Sequence, residues 1–133
     1  MNINDIKSTG TKATRDGFGQ GLLEAGRKNP NIIGLTADLM ESLQMQHFHK
    51  EFPERFFQIG IAEANMIGIA AGMATAGKIP FTGTFANFST GRVYDQIRVN
   101  LGMMRSPVAL VGVSAGCESG MLGASHMALE DVS

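Results

Sequence analysis

A single carboxylate stands at the start of one of the most apolar stretches of the chain. Glu63 lies in residues 60–66, GIAEANM, and residues 67–76 are apolar or small throughout. That composition predicts a helix buried on every side, with Glu63 in its first turn, where the helix dipole favours an acidic side chain. Burial would remove water from the carboxylate and favour its protonated form. Glu63 is therefore a candidate proton donor, and the alternative is a carboxylate that only stabilises the helix start.

Five further side chains are of types that bind ligands, although each also has a structural interpretation. Phe85 and Phe88 lie three residues apart in GTFANF, and such aromatic pairs either pack a core or line a pocket. A lone histidine, His126, follows a glycine-rich stretch, and histidine transfers protons near neutral pH. Arg15 and Ser42 would suit a phosphate, because a guanidinium fork and a hydroxyl at a helix start both bind anions.

These residues must be positioned by elements that alternate between helix and strand. Apolar periodicity and the Gly and Pro positions predict helices over residues 14–28, 42–52, 61–76 and 93–104, with another from 124 onward. Short apolar runs predict strands over residues 31–35, 55–59, 80–84 and 107–113. The alternation predicts an α/β domain with a parallel sheet and helices on both faces. Ligands of such sheets bind beyond the carboxyl ends of the strands, where most of the candidate residues lie.

The composition excludes several classes of function. Eleven basic and twelve acidic residues give a net charge of −1, which argues against nucleic acid or an anionic membrane as partners. The apolar stretches are too short to cross a bilayer, and the first ten residues lack a secretory signal. A single cysteine, Cys117, allows no internal disulfide. We therefore expect one cytoplasmic domain over residues 1–133 with no metal site of its own.

Several segments in order resemble one known family. They are residues 14–22 (TRDGFGQGL), 37–39 (ADL), 52–98 (FPERFFQIGIAEANMIGIAAGMATAGKIPFTGTFANFSTGRVYDQIR) and 126–131 (HMALED). Together they resemble the pyrimidine-binding domain of transketolases, above all the C-terminal subunit of split transketolases. The resemblance implies the thiamine-diphosphate pyrimidine-binding type of fold. It also implies a domain truncated at its C-terminus, with the diphosphate-binding and C-terminal domains absent.

The resemblance assigns three residues to the cofactor. In this family thiamine diphosphate supplies the reactive carbon, and the glutamate that matches Glu63 hydrogen-bonds N1′ of its aminopyrimidine ring. The aromatic residue that matches Phe88 stacks on that ring, and Phe85 would support it. Mg²⁺ and the diphosphate are held by a separate domain through a GDG…N motif, and no such motif occurs in this chain.

The resemblance also assigns the substrate residues, and here the chain departs from the family pattern. Arg15 and Ser42 would hold the substrate phosphate, and His126 would contact substrate oxygen atoms and relay protons. Leu122 stands where the family has an aspartate that binds the sugar C2 hydroxyl, and Ser114 stands where it has a second substrate histidine. An apolar side chain and a small hydroxyl at these positions predict a less hydroxylated substrate.

The function implied is transfer of a two-carbon ketol unit between sugar phosphates. Because Met1 resembles a natural start, we expect a split enzyme that is active only with a diphosphate-binding N-terminal subunit, as a dimer or hetero-tetramer. Two alternatives remain open at the level of sequence. One is a non-catalytic structural partner whose sugar pocket has decayed, and the other is a different thiamine enzyme such as a deoxyxylulose-phosphate synthase.

Overall fold

A four-stranded parallel sheet forms the centre of the computed structural model, which describes residues 10–129 and 131. The strands run in the order β2-β1-β3-β4. The register pairs Thr36 with Gly83 and Phe85 with Val113, so the carboxyl ends of three strands meet at one edge. This confirms the predicted parallel α/β architecture. The strands are β1 Ile32–Thr36, β2 Phe56–Gln58, β3 Ile79–Phe85 and β4 Ala109–Val113.

Helices cover both faces of the sheet because alternate side chains of β1 point to opposite sides. Ile32 joins a buried cluster with Leu22 and Phe48, whereas Leu35 joins a second cluster with Met66 on the other face. The first cluster contains side chains of α1 and α2, and the second contains those of α3. The helices are α1 Thr14–Lys28, α2 Gln46–Glu51, α3 Glu63–Thr75, α4 Ala86–Ser89 and α5 Tyr94–Gln96.

Two predicted helices differ from the structure in their extent. The helix predicted over 42–52 begins only at Gln46, because Gln44 has a positive φ of 56°, which a right-handed helix does not accommodate. The helix predicted over 93–104 starts as α5 and continues as a wider π-helix over Ile97–Met103. The hydrogen bond from the Met104 N–H to the Val99 carbonyl, 3.1 Å, closes that wider turn.

The helix predicted from residue 124 onward is wrong within the described residues. Only a single 3₁₀ turn forms, over Ala124–His126, and Met127 after it is extended. The chain is then drawn into an antiparallel bridge in which Gly116 and Ala128 exchange two backbone hydrogen bonds of 3.0 Å. Residues 130, 132 and 133 of the predicted helix lie outside the described residues.

Two predictions of burial are also wrong. The helix that carries Glu63 is not buried all round, because Ala64, Gly68 and Gly72 lie exposed along one face of α3. The apolar run over residues 107–113 predicts a buried strand, but β4 is partly exposed because it is an edge strand of the four-stranded sheet. The low polarity of both segments therefore reflects small residues on an open face and an edge strand.

Candidate active site at the carboxyl edge of the sheet

Glu63 is positioned by the turn between β2 and α3. Gly60 has a φ of +78°, a conformation that glycine adopts without a Cβ penalty. The Ala62 N–H donates to the Gly60 carbonyl at 2.8 Å, and α3 begins at Glu63 immediately afterwards. The Glu63 side chain is only 4% exposed, which confirms its predicted burial. The helix N-terminus favours negative charge at this position.

Two aromatic rings stand beside this carboxylate because a short helix follows β3 without a loop. β3 ends at Phe85 and α4 begins at Ala86. The helix packs directly on β4: a Cβ at Gly112 would lie 2.7 Å from Ser89 Oγ and 2.8 Å from Ala86 Cα. The rings of Phe85 and Phe88 meet edge to face, with their centroids 5.8 Å apart.

His126 completes the aromatic cluster. Its imidazole centroid lies 5.0 Å from each of the Phe85 and Phe88 ring centroids. Three contacts hold its loop in place: the Gly116–Ala128 bridge, a 3.1 Å hydrogen bond from Asn87 Nδ2 to the Ser125 carbonyl, and a 2.7 Å bond from Ser119 Oγ to the His126 carbonyl. The structure thus anchors His126 beside residues that precede it by about forty positions.

A cavity of about 280 Å³ gathers four of the predicted site residues, namely Glu63, Phe85, Phe88 and His126. Three segments after strand ends contribute to its wall, as the parallel sheet predicted. These four supply one carboxylate, one imidazole and two aromatic rings, a combination suited to a flat, polar ring. The remaining lining residues are Ala37, Asp38, Leu39, Ile61, Thr84 and Arg92.

Arg92 is one of the lining residues that the sequence analysis missed. Its Nη1 donates to Glu63 Oε1 at 2.9 Å, and its guanidinium carbon lies 3.6 Å from the centroid of the Phe88 ring. The side chain of Arg92 is 46% exposed, so it covers the cavity from the solvent side. Phe88 lies in α4, which ends at Ser89, and Arg92 lies in the separate 3₁₀ turn Gly91–Val93, so no helical spacing in the sequence marks their contact.

Two polar groups in the same wall have unusual local structure. The hydroxyl of Thr84 is buried at the end of β3 and has no hydrogen-bond partner among the described residues. Asp38 has a φ of 61°, and its backbone N–H donates to Gln58 Oε1 at 2.7 Å. Buried polar groups normally have partners, and backbone strain of this kind concentrates at functional sites. Both observations are consistent with a wall that contacts a ligand.

Two of the four predicted phosphate and sugar residues line a cavity, and the other two do not. Arg15 and Ser114 line a second cavity, of about 640 Å³, together with Lys12, Glu118 and the first residues of α1. Ser42 is exposed on the turn before α2 and lines neither this cavity nor the one around Glu63. Leu122 is also exposed and lines neither cavity. The described structure therefore brings Arg15 to Ser114 but does not bring Ser42 or Leu122 to either cavity.

Residues 10–129 and 131 contain neither a membrane-spanning helix nor a cluster of metal ligands. No helix in this part of the chain is long and apolar enough to cross a membrane. The same residues contain no group of three His, Cys, Asp or Glu side chains arranged to hold a metal ion.

Comparison with known families places the chain in one of them. The family "Transketolase, pyrimidine binding domain" matches residues 10–133, which is nearly the whole sequence. The parallel four-stranded sheet agrees with this match. The chain therefore belongs to the transketolase pyrimidine-binding domain family.

Individual relatives are similar over most of this chain but are much longer. The chain is 46% identical over 128 residues to a Methanocaldococcus jannaschii protein named as a transketolase C-terminal section, covering 96% of this chain and 40% of the relative. It is 42% identical over 119 residues to the 6-deoxy-6-sulfo-D-fructose transketolase subunit of a Clostridium species (strain MSTE9), covering 90% of this chain and 37% of the relative. It thus spans about two-fifths of the length of these relatives.

One solved structure shares both the fold and much of the sequence. It is titled a split gene transketolase, inactive β4 tetramer, and it superposes with a TM-score of 0.78 at 47% identity. The similarity covers 92% of this chain and 39% of that one.

Proposed function

We propose that this chain supplies the aminopyrimidine half of a thiamine-diphosphate site in a transketolase-type transferase. The observation that carries the proposal is the buried carboxylate of Glu63 in the wall of a cavity that also contains Phe85, Phe88 and His126. A desolvated acid beside aromatic rings is suited to hydrogen-bond a flat heterocycle. Membership of the transketolase family supports thiamine diphosphate as that heterocycle's source.

The chemistry of the cavity wall fits an aminopyrimidine ring. Such a ring needs an acid at one nitrogen, aromatic surface on its face and further hydrogen-bond partners at its edge. Glu63 offers the acid, Phe88 the aromatic surface, and the unpartnered Thr84 hydroxyl a further hydrogen-bonding group. When bound, thiamine diphosphate supplies the nucleophilic carbon for ketol transfer. Its diphosphate and Mg²⁺ would be held by a partner domain, since this chain has no GDG…N motif.

Each of the four predicted residues of the cavity then has a distinct role. Glu63 holds a proton toward the ring nitrogen N1′, and its burial strengthens that hydrogen bond. Phe88 packs on the ring, and Phe85 fixes the orientation of Phe88. His126 exchanges a proton with substrate oxygen atoms, and packing between two aromatic rings keeps its imidazole in position.

The second cavity is the proposed place of the substrate's anionic group. Lys12 and Arg15 supply positive charge there, and α1 begins without a side-chain cap on its first N–H groups. Ser114 would contact a sugar oxygen. Glu118 also lines the cavity and disfavours dianionic ligands unless it turns outward. Ser42 remains a phosphate-binding candidate that requires the turn before α2 to move closer.

A substrate that differs from ordinary ketose phosphates is part of this proposal. Ser114 and Leu122 replace a histidine and an aspartate of the family pattern, which removes two groups that bind sugar hydroxyls. One of the relatives is named for a deoxysulfo sugar, which supports variation of the substrate within close relatives. A deoxygenated ketose phosphate should therefore be used at least as well as its fully hydroxylated counterpart.

A diphosphate-binding subunit is the proposed partner. The exposed face of α3, with Ala64, Gly68 and Gly72, permits close approach of another chain. A similar solved structure is titled an inactive tetramer of β subunits, which supports dependence on a second type of subunit. We propose a hetero-oligomeric assembly and the whole of residues 1–133 as one pyrimidine-binding domain within it.

The decisive experiment mixes this protein with its diphosphate-binding partner, thiamine diphosphate and Mg²⁺, and follows ketol transfer. Glu63→Gln keeps the shape of the side chain but removes its transferable proton. We expect turnover to fall by about 100-fold or more, as for the loss of a general acid or base, while the cofactor still binds.

Glu54→Gln is the matched control, because Glu54 is an exposed glutamate near the amino end of β2, far from the cavity. It should leave turnover unchanged. Wild-type turnover in Glu63→Gln would contradict the proposal. Assembly with bound cofactor but no turnover on any ketose phosphate would instead favour a non-catalytic partner subunit.

A further inference from the structure

The guanidinium of Arg92 contacts two of the groups that the proposed function assigns to the cofactor ring, Glu63 and Phe88. Arg92 Nη1 is 2.9 Å from Glu63 Oε1, and the guanidinium carbon is 3.6 Å from the centroid of Phe88. Both distances are those of full contacts, a charge-assisted hydrogen bond and a cation–π stack. The same side chain thus covers the proposed acid and the proposed stacking surface at once.

The other neighbours of Phe88 do not compete for that surface. Phe85 meets the Phe88 ring at an interplanar angle of 82°, and His126 meets it at 66°. Neither of these rings lies parallel to Phe88. Arg92 is therefore the group that lies directly over the face of Phe88 among these contacts.

A guanidinium and a protonated aminopyrimidine share the chemistry that matters here. Both are planar, both carry delocalised positive charge across N–C–N atoms, and both present N–H donors in the plane. Such a group stacks on an aromatic face while it donates to a carboxylate at its edge. Arg92 satisfies both requirements in the structure, from a side chain that is itself half exposed.

We propose that Arg92 is a placeholder: in the absence of cofactor its guanidinium occupies the position of the aminopyrimidine ring. This role rests on the proposed function of the Glu63 cavity. The guanidinium must leave Phe88 and Glu63 before a cofactor ring can contact them. Gly91 lies exposed next to Arg92, and the Arg92 side chain is itself half exposed, so the guanidinium has solvent to move into. In the closed arrangement Arg92 protects the buried carboxylate and the aromatic surface from other ligands.

The test measures affinity rather than turnover. Thiamine diphosphate with Mg²⁺ is titrated calorimetrically into the complex of this protein with its diphosphate-binding partner. Arg92→Ala removes the competitor, so we expect the dissociation constant to fall about tenfold. Arg92→Lys retains charge without the planar fork, and its affinity should lie between the two.

Arg98→Ala is the control, because Arg98 is an exposed arginine of the same segment that pairs with Asp95 at 2.7 Å outside the cavity. It should bind like wild type. Unchanged or weaker binding in both folded Arg92 variants would overturn the placeholder, and weaker binding would mean that Arg92 helps to hold the ring. If wild type itself binds no thiamine diphosphate, the proposed function fails, and the placeholder fails with it.

Discussion

Two arginines lie over phenylalanine rings at the same distance, at opposite edges of the sheet. At the amino edge, Arg55 lies 3.6 Å from the centroid of Phe52, and at the carboxyl edge Arg92 lies 3.6 Å from that of Phe88. Arg55 donates to the carbonyls of Gly26 and Asn29, at 3.1 and 3.2 Å, and its side chain is 13% exposed. Arg92 is half exposed and donates to a buried carboxylate.

The two contacts have different consequences because their partners differ. The carbonyls at the end of α1 cannot change protonation, so Arg55 is a structural clamp. The Glu63 carboxylate can be protonated, so its bond to Arg92 can be exchanged. Arg55 also borders a cavity of about 660 Å³, larger than the one around Glu63, but its lining is mostly apolar. The volume of a cavity is therefore a weaker indication of a ligand site than the polar groups in its wall.

The largest effect on stability should come from breaking the amino-edge clamp. Arg55→Ala removes a stacked cation and two charge-assisted hydrogen bonds from a largely buried place, and we expect a loss of about 2–4 kcal/mol in the free energy of unfolding. Urea unfolding measures it. As a comparison, Arg92→Ala in the Glu63→Gln background should cost less than about 0.5 kcal/mol. Equal losses at the two edges would mean that both arginines are structural.

A matched pair of threonines sharpens the same contrast. Thr36 Oγ1 donates to the Gly83 carbonyl at 2.9 Å, whereas the Thr84 hydroxyl has no hydrogen-bond partner within residues 10–129 and 131. Thr36→Val should cost about 1 kcal/mol in the free energy of unfolding, and Thr84→Val should be neutral or slightly stabilising. Thr84→Val should nevertheless weaken thiamine-diphosphate binding severalfold. Equal stability costs with unchanged cofactor affinity would remove Thr84 from the site.

The smallest effect belongs to an exposed ion pair, that of Arg27 with Glu51 at 2.6 Å. Hydrogen bonding to Arg27 holds the pKa of Glu51 below its usual range. A lowered carboxyl pKa stabilises the fold above the unfolded pKa, and this contribution disappears as the pH falls through the folded pKa. Arg27→Ala should therefore lower stability slightly at neutral pH and not at acidic pH. Unfolding curves at both pH values, with and without 1 M salt, check this.

Local pattern alone was sufficient for most of the fold. Four apolar runs separated by helical segments predicted four parallel strands, and each strand agrees with its prediction within about two residues at either end. The predictions failed where a backbone conformation or a distant contact decided the outcome. The positive φ of Gln44 makes α2 begin only at Gln46. The bridge between Gly116 and Ala128 leaves a single turn in place of the last predicted helix.

The sequence by itself determined that a carboxylate would begin a small-residue helix after a glycine turn, because these are properties of neighbouring residues. Only the tertiary structure decided what that carboxylate meets. Glu63 and Arg92 are 29 positions apart, and His126 is further still along the chain. They share one cavity because β1 and β3 lie side by side and end at one edge of the sheet. Arg15 is separated from Ser42 because the packing of the domain places them at different parts of the surface. Periodicity encodes which face of an element is buried, but the elements that meet across an edge depend on packing of the whole domain.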